Sequence, residues 1–342
     1  MTNNSGKVLI LNEKQVKDEL TPQLVLDLVE KSFAEYANGN AVNPVKLHLP
    51  LYPHHEGYIN SMPSYLTKME IAGAKVVSVF KHNMKEHCLP STIGTIILHN
   101  TETGAPYAIM DGTYITAART GAVIGVMAKY LAKQNSKVFT VVGAGATGLS
   151  AFIMINAALN ESITEVRLVD ISPDAQARFS SSAKEIFPAI RYVNYDSIQE
   201  ACTGADIIVA AATASTPLYD DITFDKGSTL LMIEGDMDDK FANRFDSFIV
   251  DFKECFVERV NVTNTYHAEE TGEPIQLLSE ESVTAEIGDV ITGKATGRKS
   301  DEDIIVVGSI GMGIQDIIVA DYACKKAREK NKGTLVDFFN LP

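Results

Sequence analysis

Residues 141–148, Val141-Val-Gly143-Ala-Gly145-Ala-Thr-Gly148, carry the strongest structural signal in the chain. They follow a short β-branched run and precede a segment whose pattern predicts a helix. Glycines in this pattern allow a tight turn, close approach of the backbone to a pyrophosphate, and packing of the helix on the strand. The helix N-terminus adds N–H donors for phosphate. The motif predicts a dinucleotide site, with a turn that binds no ligand as the alternative; its residues are Gly143, Ala144, Gly145, Ala146, Thr147 and Gly148.

A carboxylate follows the next predicted strand. That strand, residues 166–169, ends at Asp170, about 20 residues beyond the glycines, where a ribose partner is expected. A carboxylate can accept hydrogen bonds from both ribose hydroxyls of NAD but repels the 2′-phosphate of NADP, and residues 171–173 contain no arginine. We therefore expect NAD as the cofactor, with NADP less favoured.

The sequence on either side predicts two kinds of sheet. Short β-branched runs recur with room for helices between them, as in a Rossmann-type doubly wound parallel α/β sheet; they are 138–142, 166–169, 190–193, 207–212, 229–233 and 248–250, with 304–307 as a further candidate. From Asn43 to Asp111, apolar runs broken by Pro, Gly and Asn indicate an antiparallel sheet. We also predict a connecting helix over 117–133 and a final helix over 313–330.

Composition limits the class of protein. The chain has 342 residues, 45% of them hydrophobic and 22% charged, which is typical of a globular protein of about two domains. Its net charge of −14 argues against a nucleic-acid partner. No apolar run approaches a membrane span and the first residues are polar, so we expect no membrane association. The scattered cysteines indicate free thiols and a cytoplasmic location.

Several further motifs, in order along the chain, resemble the ornithine cyclodeaminase and mu-crystallin family. They are Ser61-Met-Pro-Ser-Tyr65, Gly73-Ala-Lys75-Val, Leu89-Pro-Ser-Thr92, Thr103 to Gly112, Ile115-Thr-Ala-Ala-Arg119-Thr, the glycine motif, Glu234-Gly-Asp236 and Ser309-Ile-Gly-Met312. The resemblance implies a homodimer with a second, α+β domain for substrate binding and dimerisation, residues 1–122 and 309–342. Residues 123–308 would then form the NAD-binding domain.

The resemblance also implies hydride exchange between nicotinamide and the α-carbon of a 2-amino or 2-imino acid. Arg119 matches the family's carboxylate-binding arginine, and its planar fork suits that task; a surface or interdomain ion pair is the alternative. Lys75 matches the active-site lysine, with a snorkelling lysine on an edge strand as the alternative. Asp236 matches the catalytic aspartate, the candidate acid or base at the substrate nitrogen. Its alternative is a solvated acidic turn with Asp238 and Asp239.

Other candidate residues depend more heavily on the resemblance. Lys46 occupies the place of a second carboxylate-binding arginine in many members, and lysine keeps the charge without the fork. Met62 and Ser91 are expected to contact substrate, and Thr92 the cofactor; a plain strand start explains Ser91 and Thr92 equally well. Ile310 and Gly311 match residues near the nicotinamide and substrate, with a simple turn as the alternative.

Three activities agree with this set of residues. The first is an NAD-dependent imine reductase or amino-acid dehydrogenase. The second is an ornithine or lysine cyclodeaminase, which forms proline or pipecolate and ammonia with catalytic NAD. The third is a crystallin-like binder without turnover. Cyclodeaminases resemble one another in an acidic residue just before Met-Pro, where this chain has Asn60-Ser61, so the sequence favours the first activity, although Glu56 is near. No metal is expected, because the histidines lack ligand spacing; these are His54, His55, His82 and His87.

Overall fold

The computed structural model describes residues 6–212, 218–233, 237–272 and 274–339. Its strands are β1 Lys7–Leu11, β2 Ala41–Val42, β3 Leu47–Pro50, β4 Gly57–Leu66, β5 Ile71–Phe80, β6 Thr92–His99, β7 Pro106–Asp111, β8 Val138–Val142, β9 Glu165–Val169, β10 Arg191–Tyr195, β11 Ile207–Ala210, β12 Thr229–Ile233, β13 Ser247–Val250, β14 Ala285–Glu286, β15 Ile305–Ser309 and β16 Thr334–Asp337. Its α-helices are α1 Glu13–Lys17, α2 Pro22–Ala37, α3 Asn83–His87, α4 Thr113–Leu131, α5 Ala146–Ala158, α6 Pro173–Ile186, α7 Ile198–Cys202, α8 Asp239–Ala242, α9 Lys253–Thr271, α10 Ile287–Ile291 and α11 Gly313–Glu329.

The chain separates into two compact units. The first unit is Met1–Arg119 with Met312–Pro342, and the second unit is Thr120–Gly311. The division falls inside α4 and again just before α11. The first unit is therefore discontinuous in sequence, and α11 and β16 belong to the same unit as β1 to β7.

The first unit is built on a mostly antiparallel sheet of order β16-β1-β7-β6-β5-β4-β2, with β3 also paired to β4. Strands β4, β5 and β6 pair over long registers, and only β1 with β7 runs parallel. Helices α11 and α2 pack on one face of this sheet. The side chain of Thr21 caps α2, and Val25, Val29 and Phe33 of that helix are buried. This face of the sheet holds the core of the first unit.

The second unit is a parallel sheet of order β10-β9-β8-β11-β12-β15-β13-β14. Its first five strands, β10-β9-β8-β11-β12, follow the order known for dinucleotide-binding sheets, in which ligands bind where the strand order reverses, here between β8 and β11. In its core the Phe152 ring packs at a tilt against Phe139 and Phe179, with centroid distances of 5.3 and 6.0 Å. The predicted fold class, a doubly wound parallel sheet with a second α+β part, is confirmed.

One local prediction was wrong in detail. Helix α4 begins at Thr113 instead of residue 117, because the carboxylate of Asp111 accepts the N–H groups of Thr113 and Tyr114. The acidic stretch 269–303 contributes to the core of the second unit. Leu278 and Ile287 from it are buried at 2% and 0% exposure, so its apolar side chains anchor the stretch to the second unit.

Candidate functional site

A lysine lies at the centre of the first sheet. Lys75 is on β5, which pairs with β4 on one side and β6 on the other, and the side chain is 0% exposed. Met62 and Ile96 are its cross-strand neighbours on the same face. The alternative of a snorkelling lysine on an edge strand is therefore wrong. An ammonium in this apolar setting requires a partner.

Asp316 of α11 is that partner. Its Oδ1 accepts a hydrogen bond from Lys75 Nζ at 2.8 Å and another from Arg119 Nε at 3.0 Å. Asp316 is 0% exposed and Arg119 is 6% exposed, so both ion pairs are shielded from water. The alternative of Arg119 as a surface ion pair is also wrong. The second oxygen, Oδ2 of Asp316, has no hydrogen-bond partner in the part of the chain that the structure describes.

The charges around Lys75 change its proton affinity. Burial lowers the pKa of the Lys75 ammonium to about 7, and the positive charges of Arg119 and Lys46 act in the same direction. The carboxylate of Asp316 opposes this by charge and by its hydrogen bond. A lysine with a pKa near neutrality exchanges protons readily at neutral pH, as a general acid or base requires.

The remaining predicted residues of the first unit, three for substrate and Thr92 for the cofactor, divide into two groups. Lys46, half-buried between β2 and β3, is close enough to act electrostatically on Lys75, and Met62 is the paired residue of Lys75 on β4. Thr92 lies on the same face of β6 as Ile96, but about 13 Å further along the strand. Ser91 precedes β6, is exposed, and accepts the N–H of Phe80 through its backbone oxygen. The structure therefore brings Lys46 and Met62 to Lys75 and leaves Ser91 and Thr92 at a distance.

The glycine motif forms the turn from β8 to α5 in the second unit. Gly143 has φ +101°, a conformation that favours glycine, and its N–H bonds to Val169 O at 2.8 Å. A Cβ at Gly148 would lie 2.3 Å from Gly143 O, so only glycine fits there. At Gly145, by contrast, a Cβ would meet nothing within 4 Å. Gly145, Ala146 and Thr147 are exposed at the N-terminus of α5, and this open, donor-rich turn fits a pyrophosphate.

Asp170 follows β9 at the same end of the sheet. Its Oδ2 accepts the N–H of Ala144 and its Oδ1 accepts the N–H of Ser172, each at 2.8 Å. These two bonds fix the carboxylate beside the glycine turn, and a carboxylate oxygen can accept more than one hydrogen bond. The arrangement fits a ribose diol.

A second buried carboxylate holds the turn that contains Ile310 and Gly311. Asp251, 1% exposed, accepts through Oδ2 the Ser309 hydroxyl and the N–H groups of Ile310 and Gly311, at 2.8, 3.0 and 2.7 Å. Gly311 has φ +74°. The carboxylate of Asp251 thus fixes the turn after β15. The sequence did not predict this contact.

The predicted catalytic aspartate, Asp236, lies outside the described residues, as do Glu234 and Gly235. Its neighbours are described, and each has a structural partner. Asp238 caps α8 by accepting the N–H of Phe241 at 2.6 Å. Asp239 accepts the Ser279 N–H and the Ser282 hydroxyl at 2.8 and 2.6 Å. Both carboxylates therefore have structural partners, and the two alternatives for Asp236 stay predictions.

Asp316 and Asp251 are the residues that sequence reasoning missed. Asp316 had a readable signal, because it stands within the apolar run Gly313 to Ala320, where a buried carboxylate requires a cation. Asp251 follows the strand 247–250 directly, a position where parallel sheets collect functional side chains. Neither position in the sequence predicts which residues the carboxylate contacts, because those contacts form only in the folded chain.

The described residues contain neither a cluster of metal ligands nor a membrane-spanning helix. No three His, Cys, Asp or Glu side chains among them lie close enough together to hold a metal ion. No helix among them is both long and apolar enough to cross a bilayer. The four cysteines are free thiols; Cys88 is exposed, and the other three are buried.

Comparison with known proteins identifies the class. The model of the ornithine cyclodeaminase/mu-crystallin family matches residues 7–331. The chain belongs to this family.

Individual relatives align with nearly the whole chain. The alanine dehydrogenase of Archaeoglobus fulgidus is 31% identical over 340 residues, which span 98% of this chain and 100% of that protein. The structure of Thermococcus litoralis Δ1-pyrroline-2-carboxylate reductase in complex with NADH and L-proline aligns with a TM-score of 0.85 and 29% identity over 96% of this chain and 99% of that one. An archaeal alanine dehydrogenase dimer with bound NAD aligns with a TM-score of 0.81 and 30% identity, over 97% and 100% of the two chains.

Proposed function

We propose that this chain is an NAD(H)-dependent oxidoreductase that transfers hydride between nicotinamide and the α-carbon of a 2-amino or 2-imino acid. The observation that carries the proposal is the buried cluster in which Lys75 and Arg119 share one oxygen of Asp316. A 2-imino acid presents a carboxylate and an electrophilic C=N carbon, so its site needs fixed cations and a proton donor. The similarity to an alanine dehydrogenase and a pyrroline-2-carboxylate reductase supports the same substrate class.

We assign substrate binding to the first unit and cofactor binding to the second. The turn at Gly143, Gly145 and Gly148 would hold the pyrophosphate of NAD, and Asp170 the ribose. NADH, when bound, supplies the hydride. In a thermal-shift titration, NADH should raise the melting temperature at lower concentration than NADPH, because the Asp170 carboxylate repels a 2′-phosphate. Tighter binding of NADPH would contradict the assignment.

Each cation of the first unit has a proposed task. Arg119 bonds Asp316 through Nε, and this leaves the terminal NH2 groups as the edge suited to a substrate carboxylate. Lys46 adds a positive charge to the same region. Lys75, with its lowered pKa, would donate or accept a proton near the substrate. Asp236 remains our candidate for the proton acceptor at the substrate nitrogen.

Asn60 favours a net redox reaction over cyclisation. It lies on β4, on the same face as Met62, is 7% exposed, and has its Oδ1 2.8 Å from His48 Nδ1. A neutral amide already engaged by a ring nitrogen binds a distal ammonium less well than a carboxylate does. Glu56, the other candidate for that task, is exposed and its Oε2 lies 3.2 Å from His82 Nε2.

A substrate panel separates the three activities. Ornithine, lysine, alanine and N-methyl amino acids are offered with NAD; cyclic imines, and pyruvate or glyoxylate with an amine, are offered with NADH. We expect NADH absorbance to change in proportion to substrate. Ammonia released from ornithine at constant NADH would instead show a cyclodeaminase. Binding of NAD without turnover of any compound would favour the binder.

We further propose that the protein is a homodimer that pairs through the outer face of the first sheet, opposite α11. Side chains on that face are apolar and open, with Leu47, Leu49 and Val76 exposed at 70%, 53% and 41%. A groove of about 390 Å³ lies beside them, lined by Pro63, Tyr65 and neighbouring residues of β4 to β6. Exposed apolar patches of this kind mark interfaces, and an archaeal relative is a dimer.

Light scattering tests the dimer. We expect a mass of twice 37.2 kDa for the wild type and a shift toward the monomer for Val76→Lys, which places a charge on the exposed face. The exposed Lys85→Glu, on α3, serves as a matched surface control. A wild-type monomer, or a dimer that Val76→Lys leaves intact, would contradict this interface.

A small-molecule substrate, the absence of a nucleic-acid partner, and a cytoplasmic location complete the proposal. The net charge of −14 disfavours polyanions. Cell fractionation with an antibody to the chain tests the location, and recovery outside the cytosolic fraction would contradict it.

A further inference from the structure

Asp316 is a buried carboxylate to which neither the sequence motifs nor the proposed reaction assigns a task. It lies on the face of α11 that packs against β4, β5 and β6, among side chains such as Ile314 and Ile317 that are 0% exposed. A carboxylate in such surroundings is costly unless charged donors satisfy it. Both donors that it has are predicted substrate-binding or catalytic residues, so its position is related to the site and not only to the core.

We propose that Asp316 is a positioning residue that holds the Lys75 ammonium and the Arg119 guanidinium at fixed places for the substrate; this inference rests on the proposed function. Both donors meet the same oxygen, so Nζ and Nε are separated by less than two hydrogen-bond lengths. One acceptor therefore sets the spacing of both cations before substrate arrives. Such preorganisation reduces the cost of ordering side chains during binding and catalysis.

The contact also fixes the orientation of Arg119. Asp316 engages Nε, and a guanidinium held by that edge presents its terminal NH2 pair in a defined direction. Within the described residues Oδ2 of Asp316 has no hydrogen-bond partner, so the carboxylate does not form a two-bond fork with Arg119. A side-on, two-bond pair between Asp316 and Arg119 would have occupied one of the terminal groups.

The charges that act on Lys75 come from three elements of the first unit. Arg119 lies on α4 and Lys46 lies between β2 and β3; both are positive and lower the pKa of Lys75. Asp316 on α11 supplies the negative charge that raises it. Removing that charge should therefore move the titration of Lys75 to lower pH, a change that a role in packing alone would not produce.

The test compares Asp316→Asn, which keeps the size and removes the charge, with Asp316→Glu, which keeps the charge and displaces it. The matched control is Asp321→Asn on the same helix. Asp321 is 6% exposed and bonds Tyr107 and Lys325, outside the proposed site. Two readouts are used: the 13C shift of Lys75 in protein labelled with 13Cε-lysine, assigned by its loss in Lys75→Met, and steady-state kinetics with a cyclic 2-imino acid and NADH.

We expect the Asn variant to lower the titration midpoint of Lys75 by more than about one pH unit. Its KM for the imino acid should rise about tenfold or more, with NADH affinity unchanged, because charged hydrogen bonds set the cation positions. The Glu variant should keep the midpoint close to that of the wild type but still raise KM. Asp321→Asn should alter neither readout.

An unchanged Lys75 midpoint in Asp316→Asn, or a wild-type KM in both Asp316 variants, would overturn the inference. If Asp316→Asn does not fold, the KM of Asp316→Glu for the imino acid tests the inference: a raised KM supports it and a wild-type KM overturns it. If the wild type turns over no imino acid, the proposed function fails. The Lys75 titration, which needs no substrate, then still decides whether Asp316 controls the lysine.

Discussion

Replacing Lys75 by methionine should flatten the dependence of stability on pH. Burial lowers the pKa of Lys75 to about 7 in the folded protein, from an ordinary value of 10.5. Between these two values the unfolded chain binds a proton that the folded chain lacks. The free energy of unfolding of the wild type therefore rises with pH over this window, and Lys75→Met lacks this contribution.

The size of the effect follows from the width of the window. One pKa unit corresponds to about 1.4 kcal/mol. Allowing for partial protonation at both ends, Lys75 contributes a rise of about 3.5 kcal/mol between pH 7 and pH 10. Contributions from all other groups cancel in the difference between wild type and variant, unless they touch Lys75. The free energy of unfolding of the wild type minus that of Lys75→Met should therefore be about 3.5 kcal/mol lower at pH 7 than at pH 10.

Urea unfolding followed by circular dichroism at pH 7, 8, 9 and 10 measures this difference. The transition to follow is that of the unit containing Lys75, recognised by its shift in the variant. Lys85→Met, at an exposed lysine on α3, is the matched control and should differ from wild type by a constant amount. A difference for Lys75→Met that stays constant within about 0.5 kcal/mol across the range would refute the reasoning.

Three further changes test the proposed site. Asp236→Asn should lower kcat by about 100-fold or more without altering NADH affinity, because it removes a proton acceptor; a wild-type kcat would exclude that role. Arg119→Lys should raise KM for the carboxylated substrate about tenfold, since lysine lacks the planar fork; an unchanged KM would leave Arg119 as a partner of Asp316 only. Gly145→Ala should leave the melting temperature unchanged but weaken NADH in a fluorescence titration, because its Cβ enters open space at the helix start. Equal NADH affinity would place the pyrophosphate elsewhere.

Features encoded by neighbouring residues were predictable from the sequence. The glycine turn, strands β8 and β12, and helix α11 have local signals: β-branched runs, glycines at fixed spacing and an apolar helical period. Strand β4 was harder to predict, because it contains Pro63 and several polar residues, and its extended form depends on pairing with β5 along ten residues. Tertiary pairing here outweighs local preference.

The sequence predicted the two cations of the candidate site, Lys75 and Arg119, but it did not predict their carboxylate partner, Asp316. Lys75 and Arg119 stood out through the motifs around them. Asp316 stands 241 residues after Lys75, and no local pattern reports a contact of that separation. The turn at Ile310 was predicted, but its acceptor, Asp251, lies 59 residues earlier and entered only with the fold.

The separation between Lys75 and Asp316 also orders events during synthesis. A ribosome releases Lys75 first, whereas Asp316 on α11 emerges 241 residues later and β16 follows it. Until then the lysine lacks its carboxylate, and β1 lacks the antiparallel neighbour β16, whose Leu335 lies opposite Leu9. A nascent chain can thus complete its parallel sheet while the first unit still exposes apolar strands, the condition in which chaperones are needed. Premature termination before Met312 would leave the glycine turn encoded but the lysine permanently without its partner.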